Sequence, residues 1–189
     1  DRNFFEIINY VAAKGIQPVV FTDAATKIRD KDFAKELYDT GATVCPKCDS
    51  LFSAEYQNFV VGDKSLEYFS QRNDAIQILI ETGFNQVQED GTTRLGFDMI
   101  VTKQNVLEVE NSLRYCRENN LWIVFSTYLP AGRSANEKFD SALVLDEEEK
   151  KAMRDTIQKI DSAYGFSHPL WNNFATTPCV EFIQIYGDG

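Results

Sequence analysis

Helical and extended sequence patterns alternate along almost the whole chain, and this alternation constrains the fold most strongly. Phe4, Ile7, Ile8 and Val11 have the spacing of a helix with one buried face, and the apolar run at 18–21 is typical of a buried strand. The same patterns predict further helices around 33–37 and at 65–82, 106–116 and 146–164, and further strands at 42–45, 96–102 and 121–125. Strands that alternate with helices of this length predict right-handed βαβ units and a parallel sheet.

Two parallel architectures remain open on this pattern. Four predicted strands are too few for a closed eight-stranded barrel, so the sheet is either an open, doubly wound one or part of a βα barrel. The 189 residues fit one domain or most of one. Because the chain begins at Asp1 and its methionines are Met99 and Met153, we expect it to be an internal piece of a longer protein.

The charge of the chain excludes some classes of function. Its formal net charge is −10, which argues against a protein that mainly grips nucleic-acid phosphates or an anionic membrane. No apolar run reaches the roughly 18 residues of a membrane-spanning helix, and no signal peptide opens the sequence. We therefore expect a cytoplasmic protein without a nucleic-acid or membrane partner.

Short polar side chains follow each predicted strand, where ligands bind in both parallel architectures. Any one of them is explained as well by helix N-capping, which favours the same residue types. Taken together, they predict a binding rim for a polar ligand with ribose and amino-acid groups. In chain order they are Thr22 and Asp23, then Lys47, Asp49 and Ser50, then Thr102, Lys103 and Asn105, and finally Ser126, Thr127 and Tyr128.

Common cofactor and hydrolase motifs are absent from the sequence. It contains no GxGxxG, GxxxxGK[ST] or HExxH, and its one histidine, His168, cannot build a multi-histidine metal site. Cys45 and Cys48 form a CxxC, for which ordinary packing, a role in a binding site, and metal or redox chemistry all remain open. Cys116 lies on an apolar helical face, and Cys179 lies far along the chain.

Several local sequences, in their order along the chain, resemble the middle and end of a radical SAM (S-adenosylmethionine) domain. The segment 20–24 is similar to the third strand of that family, with Asp23-Ala24 where the family commonly has Asn-Gly. The segments 44–50 and 100–105 resemble its fourth and fifth strands. The segment 125–133 resembles the sixth strand and following loop in the branch with a cysteine-rich (SPASM-like) C-terminal extension, and Cys179 resembles the start of that extension.

The resemblance implies a fold and an activity. The fold would be an incomplete βα barrel over residues 1–166, roughly strands three to six of the radical SAM core, followed by the start of the extension at 167–189. Such enzymes cleave SAM reductively at a 4Fe–4S cluster to give a 5′-deoxyadenosyl radical, which abstracts a hydrogen from the substrate. The cluster-binding CxxxCxxC and the Gly-Gly-Glu segment would both precede Asp1. Residues 1–189 alone are therefore expected to be inactive.

The resemblance also implies site residues. Ser50 and Asn105 are expected to hold the ribose and amino-acid groups of SAM, with Asp49 and Thr102 as second choices. Arg133 could meet a carboxylate of the cofactor or substrate, or it could be a solvent-exposed loop cation.

Further cofactors and partners follow from the same resemblance. Cys179 is expected to bind an auxiliary iron–sulfur cluster. A peptide or protein is the expected substrate, and a flavodoxin or ferredoxin the expected reductant.

Two other functions compete with the radical enzyme. The first is a non-catalytic parallel-sheet domain that binds a ligand or partner, with Phe52, Tyr56 and Phe59 of one predicted loop as an interaction surface. The second is a cofactor-free barrel enzyme in which Lys47 or Lys103, at a strand end, forms a Schiff base with a carbonyl substrate.

Overall fold

The computed structural model describes residues 3–63, 65, 67–89, 91–128, 142–164 and 173–175. Helices and short strands alternate along these residues, which confirms the predicted mixed α/β class. The helices are α1 Phe4–Ala13, α2 Lys31–Asp39, α3 Ala54–Val61, α4 Tyr68–Thr82, α5 Val109–Glu118 and α6 Glu147–Tyr164, with 3-10 turns at Lys27–Arg29 and Val106–Glu108. The strands are β1 Val19–Thr22, β2 Thr43–Pro46, β3 Gly96–Val101, β4 Trp122–Thr127 and β5 Asn173–Ala175.

All the strand pairs that the structure describes are parallel, as predicted. β1 pairs with β2 over four residues, β4 pairs with β3 over six, and β5 joins the far side of β4. Two parallel bridges, Val44–Leu95 and Lys47–Asp98, connect β2 to the chain around β3. A backbone hydrogen bond of 2.9 Å from the Cys48 N–H to the Asp98 carbonyl supports the second bridge. The described strands thus form a two-stranded and a three-stranded parallel sheet. The bridges join them, so that neighbouring strands follow chain order from β1 to β5.

One face of this sheet carries the hydrophobic core. Phe97, Met99 and Val101 alternate along β3 and are all buried, so they share the face that packs against the helices. Strand residues with the same orientation join them in the buried cluster, namely Val44, Ile123 and Phe125. The helices contribute Leu37, Leu79, Leu113, Cys116, Met153, Ile157 and Ile160.

The opposite face of the sheet is more polar and more open. Asp98 and Ile100 are half-buried there, and Phe21 of β1 is 62% exposed. At the amino end of β3, the Trp122 ring lies over Gly96, where a Cβ atom would come within 2.0 Å of Trp122 Cδ2. Only glycine leaves room for the tryptophan at this position.

Local sequence signals explain where several helices begin. The Asp30 side chain caps α2 by accepting from the backbone N–H groups of Asp32 and Phe33. At the start of α6, the Asp146 and Glu149 side chains each accept from the other's backbone N–H at 2.8 Å, which is a capping box. The acidic run of α6 thus has a structural role, since acidic residues in a first helical turn also complement the helix dipole.

The prediction that Phe52, Tyr56 and Phe59 share one loop is wrong for the last two, which lie in α3. Ser53 caps this helix by accepting from the Tyr56 N–H, and Gly62 ends it with a left-handed φ of 72°. The buried residues of α3 are Gln57 and Asn58, so the apolar periodicity that reveals a helix is missing.

The remaining boundaries differ less from the prediction. The helix predicted at 65–82 begins at Tyr68, and β5 lies beyond the four strands that the sequence pattern predicted. The proposed boundary between 166 and 167 falls outside the described residues. No described helix has both the length and the apolar character needed to cross a bilayer.

Candidate functional site

The carboxyl ends of β2 and β3 bring together four residues that the resemblance assigns to cofactor binding. Asp49 and Ser50 follow β2, whereas Thr102 and Asn105 follow β3. All four are at most 5% exposed, and hydrogen bonds link the two strand ends through them. We call these four residues the strand-end network.

The side-chain amide of Asn105 holds the network together. Its Nδ2 donates to the Asp49 carbonyl oxygen at 2.7 Å and to the Ile100 carbonyl oxygen at 2.9 Å. Its Oδ1 accepts from the Thr102 backbone N–H at 2.7 Å and from the Thr102 hydroxyl at 3.3 Å. A primary amide has two donors and two acceptor positions, so Asn105 is fully used within the chain. A ligand could bond to this amide only by replacing one of these contacts.

Ser50 is engaged by the loop that follows it and by the turn before α5. Its Oγ donates to Glu108 Oε2 at 2.6 Å and accepts from the Ser53 backbone N–H at 2.8 Å. Its own backbone N–H donates to Gln57 Oε1 at 2.9 Å. Ser50 therefore fixes the turn between β2 and α3, and Glu108 supplies a carboxylate beside it.

Lys47 adds an ion-paired cluster to the same edge. Its Nζ lies 2.8 Å from Asp49 Oδ1 and 3.4 Å from Asp98 Oδ2. Burial alone would lower the pKa of Lys47, but the two carboxylates outweigh it and raise that pKa. A Schiff-base lysine must be available as the neutral amine, so the geometry disfavours this role for Lys47. The alternative, Lys103, has its Nζ 3.7 Å from a carboxylate oxygen of Glu149.

The second carboxylate oxygen of Asp49 has no hydrogen-bond partner among the described residues. Asp49 Oδ1 accepts from Lys47 Nζ and, at 3.1 Å, from the Ile100 backbone N–H, while Oδ2 is buried and unpaired. Leaving a buried acceptor unsatisfied costs about 1–3 kcal/mol, more for a charged group. Asp49 Oδ2 is therefore an acceptor of the strand-end network that no described donor satisfies. Because it is buried, a ligand could bond to it only if the side chains around it moved.

A cleft of about 380 Å³ opens beside Lys47, a volume within the rough 300–1,000 Å³ range of small-molecule sites. The Tyr68 hydroxyl, on its wall, donates to the Asp23 carbonyl oxygen at 3.0 Å. Burial raises the pKa of Tyr68 to about 12, so the phenol keeps its proton at neutral pH. The lining residues are Asp23, Lys47, Val61, Asp63, Ser65, Tyr68 and Gln71. Because Asp23 follows β1 and Lys47 follows β2, the cleft lies at the predicted edge of the sheet.

The CxxC motif contributes buried thiols to this region. Cys45, Cys48 and Cys116 are free and buried. Burial raises the pKa of Cys48 to about 12 and the pKa values of Cys45 and Cys116 well above their ordinary value. Since the thiolate is the reactive and metal-binding form, this geometry favours ordinary packing among the three alternatives. Within the described part of the chain, no group of three or more His, Cys, Asp or Glu side chains could hold a metal ion.

Some of the predicted rim residues also stabilise turns, which was the simpler explanation for each of them. The Thr22 hydroxyl accepts from the Ala24 backbone N–H at 3.0 Å, and the Thr102 hydroxyl accepts from the Gln104 backbone N–H at 3.1 Å. The Thr102 hydroxyl also lies 3.0 Å from the Tyr56 hydroxyl. Thr102 therefore stabilises a turn and is also part of the strand-end network.

Sequence reasoning missed several polar residues that shape this edge. Asp98 had a usable signal, because an acid inside the apolar run of β3 calls for a partner. No comparable sequence signal marks Glu108, Gln57 or Arg72. Each lies in a helical segment, where polar residues are common because they usually face solvent.

Two predicted site residues, Arg133 and Cys179, lie outside the described residues, as does His168. Their roles remain predictions. No protein-family model matches this chain, and no curated protein matches it either. A functional assignment therefore rests on the strand order and the geometry of the strand-end network.

Proposed function

We propose that this chain is part of the barrel of a radical SAM enzyme and that the carboxyl edge of its sheet helps to bind SAM. The observation that supports this most is the parallel pairing of the strands in chain order. In a doubly wound sheet the strand order reverses at a switch point, whereas successive strands of a βα barrel are neighbours. β1 to β4 would then be strands three to six of an incomplete barrel, with β5 beyond them.

The two faces of the sheet agree with this proposal. Buried strand residues that pack against the helices have one orientation, as on the outer face of a barrel. The other orientation presents Lys47 and Asp98, whose ion pair would lie inside the barrel near its carboxyl end. A doubly wound sheet would need helices over both faces to cover its apolar strands.

The backbone at Ala24 also supports the resemblance. Ala24 has a φ of 60°, in the left-handed region that favours glycine. It stands where the family commonly has the glycine of its Thr-Asn-Gly sequence. The conformation expected for that family position is therefore adopted here although the residue is alanine.

The residue types at the edge fit the polar groups of SAM. The ammonium and ribose hydroxyls of SAM are donors, which suit the carboxylates of Asp23 and Asp63 in the cleft. The unpaired oxygen of Asp49 is a further acceptor, but it is buried and would have to be uncovered by the ligand. The SAM carboxylate suits the Lys47 ammonium, which is 31% exposed at its side chain. Asn105 and Ser50 would hold the strand ends in place around the ligand.

The described residues do not fit an iron–sulfur cluster. Cys45, Cys48 and Cys116 are buried with raised pKa values, and no described group of three metal-binding side chains exists. The cluster cysteines of the proposed enzyme would have to come from other parts of the parent protein. With such a cluster supplied by those parts, SAM would on reduction provide the radical that removes a hydrogen atom from the substrate.

A peptide or protein remains the proposed substrate, by analogy with the branch that carries the cysteine-rich extension. A flavodoxin or ferredoxin remains the proposed reductant.

The gene sequence upstream of Asp1 provides a direct test. We expect CxxxCxxC, followed by a glycine-rich strand with a glutamate, within about 100 residues, which is roughly two to three βα units. An upstream region without these cysteines, or a start codon immediately before Asp1, would remove the radical SAM proposal.

The exposed apolar side chains favour the second candidate, a non-catalytic binding domain. Leu107 is 91% exposed and Phe59 68% exposed, and Leu107 follows the carboxyl end of β3. If the upstream cysteines are missing, this domain becomes the leading proposal, and a binding partner should be sought with Leu107→Ser as the disrupting variant.

A further inference from the structure

The side chain of Arg72, in the second turn of α4, is fully buried beside the strand-end network. Among the described residues, no carboxylate lies within 4 Å of its guanidinium, so its charge is held by neutral oxygens. Nη2 donates to the Ser50 carbonyl at 2.8 Å, Nη1 donates to Gln57 Oε1 at 3.2 Å, and Nε donates to Asn73 Oδ1 at 2.9 Å. Burying an arginine without an ion-pair partner is costly, and packing alone would be served as well by leucine or methionine.

Arg72 and Gln57 together hold both sides of the Ser50 backbone. Gln57 Oε1 accepts from the Ser50 N–H at 2.9 Å. The Arg72 guanidinium donates both to the Ser50 carbonyl oxygen and to that same Oε1. Asn105 holds the preceding carbonyl, that of Asp49. The backbone of Asp49 and Ser50 is therefore fixed from α3, from α4 and from the end of β3.

Arg72 also brings positive charge to this edge. Arg72 and Lys47 both lower the pKa of the buried Cys48 thiol, whereas Asp49 and Glu108 raise it. The guanidinium therefore acts electrostatically at the buried end of β2 as well as through its hydrogen bonds.

We propose that Arg72 is a positioning residue, which orients the Asp49–Ser50 backbone so that this edge of the sheet can bind its ligand. The inference rests on the proposed function for the identity of that ligand, SAM. Arg72, Asp49 and Ser50 do not line the cleft. The effect of Arg72 would therefore pass from the Ser50 backbone through Asp49 to Lys47, whose Nζ lies 2.8 Å from Asp49 Oδ1.

The test compares Arg72→Met with Arg94→Met in the full parent protein. Arg94 is a matched control because its Nη1 also donates to a backbone carbonyl, that of Tyr38, at 2.9 Å, but it lies at the amino end of β3. We expect Arg72→Met to raise the Kd for SAM at least tenfold and Arg94→Met to change it less than twofold. Arg72→Lys should give an intermediate Kd, because one ammonium group cannot donate to two acceptors with the fixed geometry of a guanidinium.

Hydrogen exchange of the backbone amides of Ser50, Phe52 and Ser53 provides a second readout. These amides should exchange at least tenfold faster in Arg72→Met and at the wild-type rate in Arg94→Met, because their acceptors belong to Gln57 and Ser50. An unchanged Kd in a folded Arg72→Met protein, or unchanged exchange of these three amides, would overturn the positioning role. If the wild-type parent does not bind SAM, the proposed function fails, and the exchange rates alone decide the role of Arg72.

Discussion

Replacing Asn105 with alanine should destabilise the chain severely, because four hydrogen bonds depend on this one amide. Alanine would leave the Asp49 and Ile100 carbonyls and the Thr102 N–H without their side-chain partner. Each buried group left unpaired costs about 1–3 kcal/mol, partly offset where water enters the space. We expect the free energy of unfolding to fall by about 3 kcal/mol, a large part of the ~5–15 kcal/mol of a typical domain.

Urea denaturation, followed by circular dichroism, measures this loss. For a chain of this size, about 3 kcal/mol corresponds to a fall in Tm of roughly 6–12 °C. Asn111→Ala is the matched control, since Asn111 is an exposed residue of α5 and should change stability by less than about 0.5 kcal/mol. If Asn105→Ala is as stable as Asn111→Ala, the hydrogen-bonded role of Asn105 is wrong.

Asn105→Asp keeps the shape of the side chain but replaces the donating Nδ2 group by an oxygen. The new carboxylate would place an oxygen against the Asp49 and Ile100 carbonyls, which disfavours the charged form in the folded state. The pKa of this carboxyl group is therefore raised on folding, and the variant loses stability as pH rises from the unfolded value of about 4. Relative to wild type, the deficit should shrink as pH falls from 7 to about 4. A deficit that stays constant with pH would contradict the donor role of Nδ2.

Three further changes test other parts of the account. Ala24→Gly should destabilise the chain by at least about 1 kcal/mol less than Ala25→Gly does, as measured by urea denaturation. Of the two residues, only Ala24 has the left-handed φ, which costs about 1–2 kcal/mol. Equal losses of stability would contradict this strain. Gly96→Ala should cost about 1–3 kcal/mol, because a Cβ there would meet the Trp122 ring; an unchanged Tm would show that the ring moves freely. Cys48 is buried and has a pKa of about 12. It should therefore react with iodoacetamide at pH 8 only as fast as the chain unfolds. Rapid labelling of Cys48 in the folded protein, detected by peptide mass spectrometry, would refute its burial.

The sequence predicted the element types well because most helices and strands here have a strong apolar period. Phe97, Met99 and Val101 alternate as a half-buried strand should, and Met153, Ile157 and Ile160 mark one face of α6. α3 was missed because its buried residues are polar: Gln57 and Asn58 use hydrogen bonds, rather than apolar contacts, to fix the helix.

The site was only partly predictable for a similar reason. Parallel strands place their carboxyl ends at one edge, so the meeting of Asp49, Ser50, Thr102 and Asn105 follows from topology. Which atoms remain available to a ligand depends on long-range bonds that no local pattern encodes. The bond from Arg72 to the Ser50 carbonyl spans 22 residues of sequence.

The proposal that this edge of the sheet binds SAM in a radical enzyme can be tested directly. The most direct test is to reconstitute the full parent protein anaerobically with iron and sulfide, add SAM and dithionite, and measure 5′-deoxyadenosine by liquid chromatography and mass spectrometry. We predict 5′-deoxyadenosine that depends on both SAM and reductant and that falls strongly in Lys47→Met, with iron content unchanged. A folded parent protein that releases no 5′-deoxyadenosine, or a Lys47→Met variant as active as wild type, would contradict the account.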